Sequence, residues 1–418
     1  MKNVITIIVF FASILAMSQE TISLDECYHL VEKNYPLAKQ TGLLENQNNL
    51  DLEVLKTKKL PQFGLEAQAT YQSDVIELPI NIPNISIDPP NNDQYKATLS
   101  VNQIIYNGGL VNASIKAKEA SVKTQLKNIE VSLYSLKKQI NDIYFSILLS
   151  QEKEALLIAK KQQLEARLKE VKAGIKYGTL LPTSDSVLEA ELLKVTQQQA
   201  YLNISKQSLF TVLSSLIGKP VTTETTLETP IVSETVSNTL NRPELALFSL
   251  QKQQIEATEK VISKQNAPKL MGFATGGYGN PGLNMLDNSF QPFYIVGAKL
   301  NWNVFDWNSS KKQRKSLQIN KEIIDNQKEV FTLNTEIELD KNQSEISKYQ
   351  TYIASDEEII SLCEKIVETA EAQLKNGVIT ASAYITELTN LYEAKNNLNA
   401  HKIQLLMAKT NYNTTQGN

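Results

Sequence analysis

The sequence predicts a mainly helical α+β chain built as an internal two-fold repeat, in which each half carries a strand hairpin followed by a very long helix. Three observations point there. Landmark spacings recur in the two halves without a gap, a heptad seam is sustained over seven heptads, and short segments alternate strictly between apolar and polar residues.

The N-terminus comes first. Lys2 precedes an apolar run from Val4 to Ala16, the length of a signal-peptide core and too short to span a bilayer. Ala16-Met17-Ser18 supplies small residues for cleavage, so residues 1–18 are expected to be a signal peptide and Gln19 the mature start. No Cys follows that site, so lipid attachment there is not expected. No later stretch reaches about 18 consecutive apolar residues, the length a transmembrane helix needs. An exported chain of this kind is periplasmic, secreted or a β-barrel.

Composition narrows the function classes. A formal net charge of -3 argues against a nucleic-acid partner. With 2 His and 2 Cys, no transition-metal site is expected. No nucleophile–base pair, phosphate-binding glycine loop or metal spacing is present, so the sequence offers no catalytic or cofactor-binding residues and no enzyme is expected.

The repeat follows from spacing. Pro36 and Pro61 lie 25 residues apart, as do Pro243 and Pro268. Tyr106 and Gly178 lie 72 apart, as do Phe305 and Gly377. The loop between the prolines and the aromatics is eight residues shorter in the second half. Each half therefore reads helix, strand, loop, strand, long helix, tight turn, helix. The first repeat is assigned to residues 19–221, a Thr/Ser/Glu-rich linker to 222–241 and the second repeat to 242–418. The strand hairpins fall at 61–106 and 268–305.

Ser23-Leu24-Asp25-Glu26 is a capping box, and the first helix is predicted to run from it to about Lys59, before Pro61. The long helix is predicted over 107–176. Alternating steps of three and four from Leu126 through Ile140, Ile147, Leu157, Lys161, Leu164 and Leu168 to Ile175 meet twelve apolar residues in fifteen. Gly178 ends this helix, and Thr183-Ser184-Asp185 offers N-caps for the one that returns. In the second half the seam persists at Ile360, Cys363, Val367, Ala370 and Leu374, before Gly377. A helix of this length needs its hairpin partner and other chains to pack against.

Phe63, Leu65, Ala67, Ala69 and Tyr71 alternate with polar residues, as do Tyr95, Ala97, Leu99 and Val101. The second hairpin reads less regularly from Leu270 to Tyr278, then alternates from Ile295 to Val304. Such segments fit membrane-barrel strands, and equally a soluble half-buried sheet. Export and the repeat favour the barrel. Four strands cannot close one, because the smallest has about eight, so closure needs further chains. The Pro/Asn/Ile-rich stretch from Leu78 to Asp93 reads as an exposed loop. Tyr71, Tyr294, Trp302 and Trp307 are candidates for the membrane–water interface.

With these elements in place, the chain resembles the TolC-like outer-membrane efflux proteins over nearly its whole mature length. The resemblance rests on Ile22-Ser23-Leu24-Asp25-Glu26-Cys27 leading to Asn34-x-Pro36, and on Asn241-Arg242-Pro243-Glu244-Leu245. It rests also on Ile105-Tyr106-Asn107-Gly108-Gly109, on Val304-Phe305-Asp306-Trp307, and on Gly377 followed by Leu391-Tyr392-Glu393-Ala394-Lys395. It implies a homotrimer with four strands per protomer in an outer-membrane β-barrel, joined to a long α-helical coiled-coil barrel in the periplasm of a Gram-negative bacterium. It implies an outer-membrane channel of a tripartite efflux or type I secretion system. The implied partners are a periplasmic adaptor (membrane fusion) protein, an inner-membrane transporter and outer-membrane lipid. Gly178, Asp185, Gly377, Ala383, Thr386 and Glu387 become candidates for the periplasmic tip. Where some family members carry acidic residues at that tip, the aligned positions here are Ala383 and Thr386, which departs from a carboxylate gate; Glu387 and Asp185 lie close by. The alternative reading is a periplasmic coiled-coil adaptor or scaffold without a pore.

Cys27 and Cys363 are expected to be free thiols, far apart along their helices, with Cys363 on the seam. His29 and His401 are read as structural residues on helices.

Overall fold

The structure is a computed structural model and describes residues 21–76, 89–232 and 239–418. The expected signal peptide, most of the loop expected at 78–93 and the middle of the expected linker lie outside the described residues. In chain order the elements are β1 (Thr21–Ile22), α1 (Leu24–Asn34), α2 (Lys39–Thr57), β2 (Gln62–Tyr71), β3 (Asp93–Tyr106), α3 (Leu110–Lys176) and α4 (Ser184–Ile217). They continue with β4 (Thr226–Leu227), α5 (Pro243–Gln265), β5 (Lys269–Asn280), β6 (Gln291–Asn301), α6 (Ser309–Lys375) and α7 (Ala381–Gln416). No helix among the described residues is long and apolar enough to cross a membrane.

The capping box forms: the Ser23 hydroxyl accepts from the Glu26 amide at 3.2 Å. The single helix expected to reach Lys59 does not. It breaks at Tyr35, which is extended, and passes through a 3-10 turn at Pro36–Ala38 before α2. Pro36 supplies no N–H and pushes the residue before it out of the helical region. The two long helices are each 67 residues, about 100 Å at about 1.5 Å per residue. Both end on a left-handed glycine, Gly178 at φ 72° and Gly377 at φ 70°. The returning helices begin differently. The Thr380 hydroxyl caps α7 by accepting from the Ala383 amide, whereas Thr183 is itself left-handed and its side chain caps nothing.

Two strand predictions are corrected. β6 starts at Gln291, four residues before the predicted Ile295, and stops at Asn301, so Trp302 to Phe305 lead out of the sheet. β5 extends past the predicted Leu270–Tyr278 at both ends, and its glycines stay in the ladder, paired on both sides by β3 and β6.

The chain divides into two compact units, and both draw on each repeat. Among the described residues, the first comprises 21–40, 128–232, 239–245 and 329–418. One of its cores gathers Ile22, Cys27 and Val31 with Ile140 and Ile147 of α3 and Phe210 and Leu213 of α4. Here β1 pairs in parallel with β4, and the Tyr144 hydroxyl reaches the Ile22 and Glu228 carbonyls at 3.0 and 2.7 Å. Burial in this core pushes the Cys27 thiol up to about 12, so it stays protonated and inert. Both cysteines are free, and Cys363 packs half-buried against the second core. His401 sits 2.6 Å from Asp356 and ties α7 to α6.

The second core is a coiled-coil seam. Leu157, Leu164 and Val171 of α3 meet Leu188, Val195 and Leu202 of α4, each set at steps of seven. Val367, Ala370 and Leu374 of α6 meet Tyr384, Leu388 and Leu391 of α7. The predicted α3 seam holds at Leu157, Leu164 and Val171, with Leu168 and Ile175 partly buried against it, while Lys160 and Arg167, one position before the expected Lys161 and Leu168, are buried as well. A straight helix turns every 3.6 residues and slips against a 3.5-residue repeat, which widens the buried stripe by one position. Both cations reach carboxylates on other helices: Lys160 pairs with Glu191 of α4 at 2.8 Å, and Arg167 pairs with Glu371 of α6. Lys206 of α4 is likewise buried and pairs with Glu154 of α3.

Among the described residues, the second unit comprises 41–76, 89–127 and 246–328. It contains the larger sheet, of strand order β2-β3-β5-β6, with every neighbouring pair antiparallel. Helix ties recur in both repeats: Lys118 to Asp51 at 2.6 Å between α3 and α2, and Lys252 to Asp325 at 2.8 Å between α5 and α6. The strand-to-helix junctions also match. Gly108 and Gly109 are left-handed at φ 64° and 81°, and the corresponding Trp307 and Asn308 are left-handed at 55° and 61°.

Asp306 holds the second of these junctions. Its carboxylate accepts from the Ser310 hydroxyl at 2.6 Å, the Ser310 amide at 3.0 Å and the Asn266 amide group at 2.5 Å. Hydrogen bonds from Ser310, then Asn266, lower its pKa to about 2. An unfolded Asp titrates near 3.9, so the stabilisation is complete above about pH 4 and disappears as pH falls through about 2. The difference in melting temperature between the native chain and Asp306→Asn is expected to shrink over that window. A difference that is constant from pH 5 to 2 would show that the carboxylate charge does not hold the junction.

Candidate functional site

The four-stranded sheet carries the most unusual surface of the molecule. Register places Leu65 opposite Leu99, Leu99 opposite Gly276, and Gly276 opposite Tyr294. Residues directly opposite each other in a ladder point to the same side. One face therefore collects Phe63, Leu65, Tyr71, Tyr95, Leu99, Val101, Tyr278, Tyr294, Val296 and Leu300. Asp93, at the loop end, is the only charged side chain on this face among the paired positions. This face is bare: Phe63 is 73% exposed, Leu65 82%, Tyr294 79% and Val296 72%. A soluble sheet would pack such a face against a core, whereas a barrel strand presents it to lipid. Strands of 10 to 14 residues tilted by about 45° span about 25 Å, the height of a barrel's apolar band.

The aromatic residues gather at the two ends of this face. Tyr71 lies at the loop end, near Tyr95 and Tyr278, which sequence places in strands without marking them for the interface, whereas Tyr294 stands further in, in the row of Leu65 and Leu99. Trp302 and Trp307 lie at the helix end, where Phe305 and Trp307 meet edge to face at 4.9 Å. Between the ends the side chains are mostly aliphatic or small, with Tyr294 the aromatic exception in the row of Leu65 and Leu99. A register reading is needed to bring Tyr95 and Tyr278 together, because alternation alone does not say how strands are staggered.

The opposite face is polar. Gln62, Glu66, Gln68, Lys96, Thr98, Ser100, Asn102, Lys269, Thr275, Lys299 and Asn301 lie on it. Its two large rings lie flat. Phe293 covers Gly277 and Phe273 covers Gly297, each ring occupying the space where a glycine Cβ would stand, with Lys96 4.9 Å above the Phe293 ring. Among the described residues the sheet has two open edges, on β2 and β6, and these do not pair with each other. A bare apolar face with two unpaired edges is a complete element only when further strands join it.

The tip candidates all fall in the first unit, around the two tight turns. The Gly377 turn approaches the Thr179 carbonyl, where an added Cβ would stand 3.4 Å away. Asp185 accepts from the Ser186 amide at 2.9 Å in the first turn of α4. Ala383 and Glu387 line a shallow groove with Lys365 and Ile379. Thr386 lines a larger groove with Lys160, Glu191, Tyr201 and Tyr392, and its hydroxyl is spent on the Ser382 carbonyl. No cluster of His, Cys, Asp or Glu that could hold a metal occurs among the described residues.

Comparisons with known proteins agree with this geometry. The family model for outer membrane efflux proteins matches residues 42–217. No curated protein sequence matches the chain. Solved structures do. The outer membrane protein VceC of Vibrio cholerae is 15% identical, with a TM-score of 0.68 over 94% of this chain and 96% of that one. The CmeC outer membrane channel of Campylobacter jejuni is 15% identical, with a TM-score of 0.67 over 94% of this chain and 85% of that one. The open state of the Neisseria gonorrhoeae MtrE outer membrane channel is 13% identical, with a TM-score of 0.69 over 94% and 88%. At these identities the likeness is one of fold. It is a likeness to transport proteins and not to enzymes.

Proposed function

We propose, from the match of residues 42–217 to the family model for outer membrane efflux proteins, that this chain is one protomer of an outer-membrane channel through which solutes leave the cell. Three copies join β6 of one to β2 of the next, and their sheets close into a twelve-stranded barrel in the outer membrane of a Gram-negative bacterium. The apolar face meets lipid and the polar face lines the lumen. The long helical hairpins of the three copies form the duct across the periplasm, with the turns at Gly178 and Gly377 at its far end. A periplasmic adaptor docks on the helices and an inner-membrane transporter supplies the energy, as in a tripartite efflux or type I secretion system. Tyr71, Tyr294, Trp302 and Trp307 anchor the barrel at the two interfaces. The tip closes without acidic residues at positions 383 and 386, which here are Ala383 and Thr386.

The observation that carries this reading is the bare apolar face of the sheet between two unpaired edges. A pore-free adaptor has no use for it, because a soluble sheet that exposes Leu65 and Tyr294 to water invites aggregation. Cell fractionation followed by native mass spectrometry of a detergent extract tests the assembly. The expected result is an outer-membrane species of three chains. A periplasmic species of one chain would rule the reading out.

A further inference from the structure

On the polar face of the sheet the charges are unevenly placed along the strands. Glu66 stands in the row of Thr98, Gly277 and Phe293, and Lys96 stands one row away, opposite Gln68 and Gly279. These two are diagonal neighbours of opposite sign, within the reach of long side chains. Lys269 and Lys299 stand at the other end, opposite Asn301 and Met271. They too are diagonal neighbours, but of like sign.

Six residues of β5 separate the row of Glu66 from that of Met271 and Lys299, about 20 Å at about 3.3 Å per residue. That is about twice the Debye length of about 10 Å at 0.1 M salt, so Glu66 does not neutralise this pair. Asp306, which stays ionised, lies beyond the last strand residue and is held in the strand-to-helix junction by Ser310 and Asn266. Among the paired positions at the helix end of the polar face, Lys269 and Lys299 are the charged residues, two positive charges per chain.

We infer that the barrel interior favours anions and that a ring of Lys269 and Lys299 at its helix end sets this preference. The inference rests on the channel reading, which brings three copies together and places six ammonium groups around one level of the lumen. Rings of Lys or Arg select anions in pores, because fixed charge in a low-dielectric wall concentrates counter-ions. The solutes that pass most readily are then anionic ones, such as carboxylates, phosphates and sulfates.

Single-channel recording of the full-length protein in planar bilayers, under a KCl gradient, tests this. The native channel is expected to show a reversal potential on the chloride side, with a chloride-to-potassium permeability ratio above one. In the K269Q/K299Q variant the ratio is expected to fall toward one, and in K269R/K299R to remain at the native value. Raising the salt tenfold from 0.1 M shortens the Debye length to about 3 Å and is expected to weaken the native preference. That arm needs no variant and stands if K269Q/K299Q fails to assemble. A native channel that prefers potassium, a ratio unchanged in K269Q/K299Q, or a preference indifferent to salt would each overturn the inference. A native protein that conducts no ions at all contradicts the channel reading instead.

Discussion

Leu65→Arg is expected to cost about 2–4 kcal/mol per protomer, the penalty for an arginine on the lipid face of a barrel near the bilayer midplane. Leu65 sits within β2, opposite Leu99 and on the apolar face, and is 82% exposed in the isolated chain. That exposure makes the experiment discriminating. On a water-facing strand the same change falls within about 0.5 kcal/mol of neutral. With three copies the penalties combine, and assembled trimers should be scarce in outer-membrane extracts. Gln68→Arg, on the polar face three residues along the same strand, is the control and should assemble normally. Denaturant titration of refolded protein in lipid gives the magnitudes. Equal effects at the two positions would mean that the two faces are not lipid and lumen.

Glu191→Leu is expected to cost about 3–5 kcal/mol, because it strands the Lys160 ammonium in the coiled-coil core. The two side chains are 8% and 12% exposed and 2.8 Å apart. Burial acts first on Glu191 and opposes its ionisation, but the combined pull of Lys160 and Lys194 prevails and leaves its carboxyl below the usual range. The double variant Lys160→Met/Glu191→Leu should recover most of the loss, since a well-packed apolar pair is often as stable as a buried ion pair. Thermal or denaturant midpoints of the four proteins in the cycle measure the coupling. A cost below about 1 kcal/mol for Glu191→Leu would class the pair with solvated surface bridges. Sliding α3 against α4 by one heptad would set Lys160 against Ser184 or Gln198, the residues one heptad either side of Glu191, so the pair favours the observed register on the lysine side.

The alternating strands and the two 67-residue helices were legible in the sequence because each has one dominant environment on each face. Lipid against lumen enforces a period of two, and packing against a neighbouring helix enforces a heptad. Where a residue's role depends on a neighbour remote in sequence, that legibility ends. The burial of Lys160 and Arg167 is hidden in the sequence because the carboxylates that pair with them, Glu191 and Glu371, belong to other helices. The break at Pro36 was signalled by its own residue and overlooked, because helical residues continue on both sides. The left-handed pair at Gly108-Gly109 is visible from its glycines, whereas the same turn at Trp307-Asn308 is hidden, since sequence shows no backbone angle. For the candidate site, the two faces of the sheet could be written from alternation, but Tyr95, Tyr278 and the Lys269–Lys299 pair emerge only once register aligns the strands. The bare state of the apolar face, which separates a membrane sheet from a soluble one, is a property of packing and has no sequence signature.

The central claim is that separate copies of this chain close their sheets into a water-filled pore. Reconstitution of the purified full-length protein into planar bilayers tests it most directly. The account predicts discrete, uniform conductance steps from the three-chain species, and far fewer insertion events for Leu65→Arg than for Gln68→Arg. A folded three-chain species that leaves the bilayer insulating would contradict it.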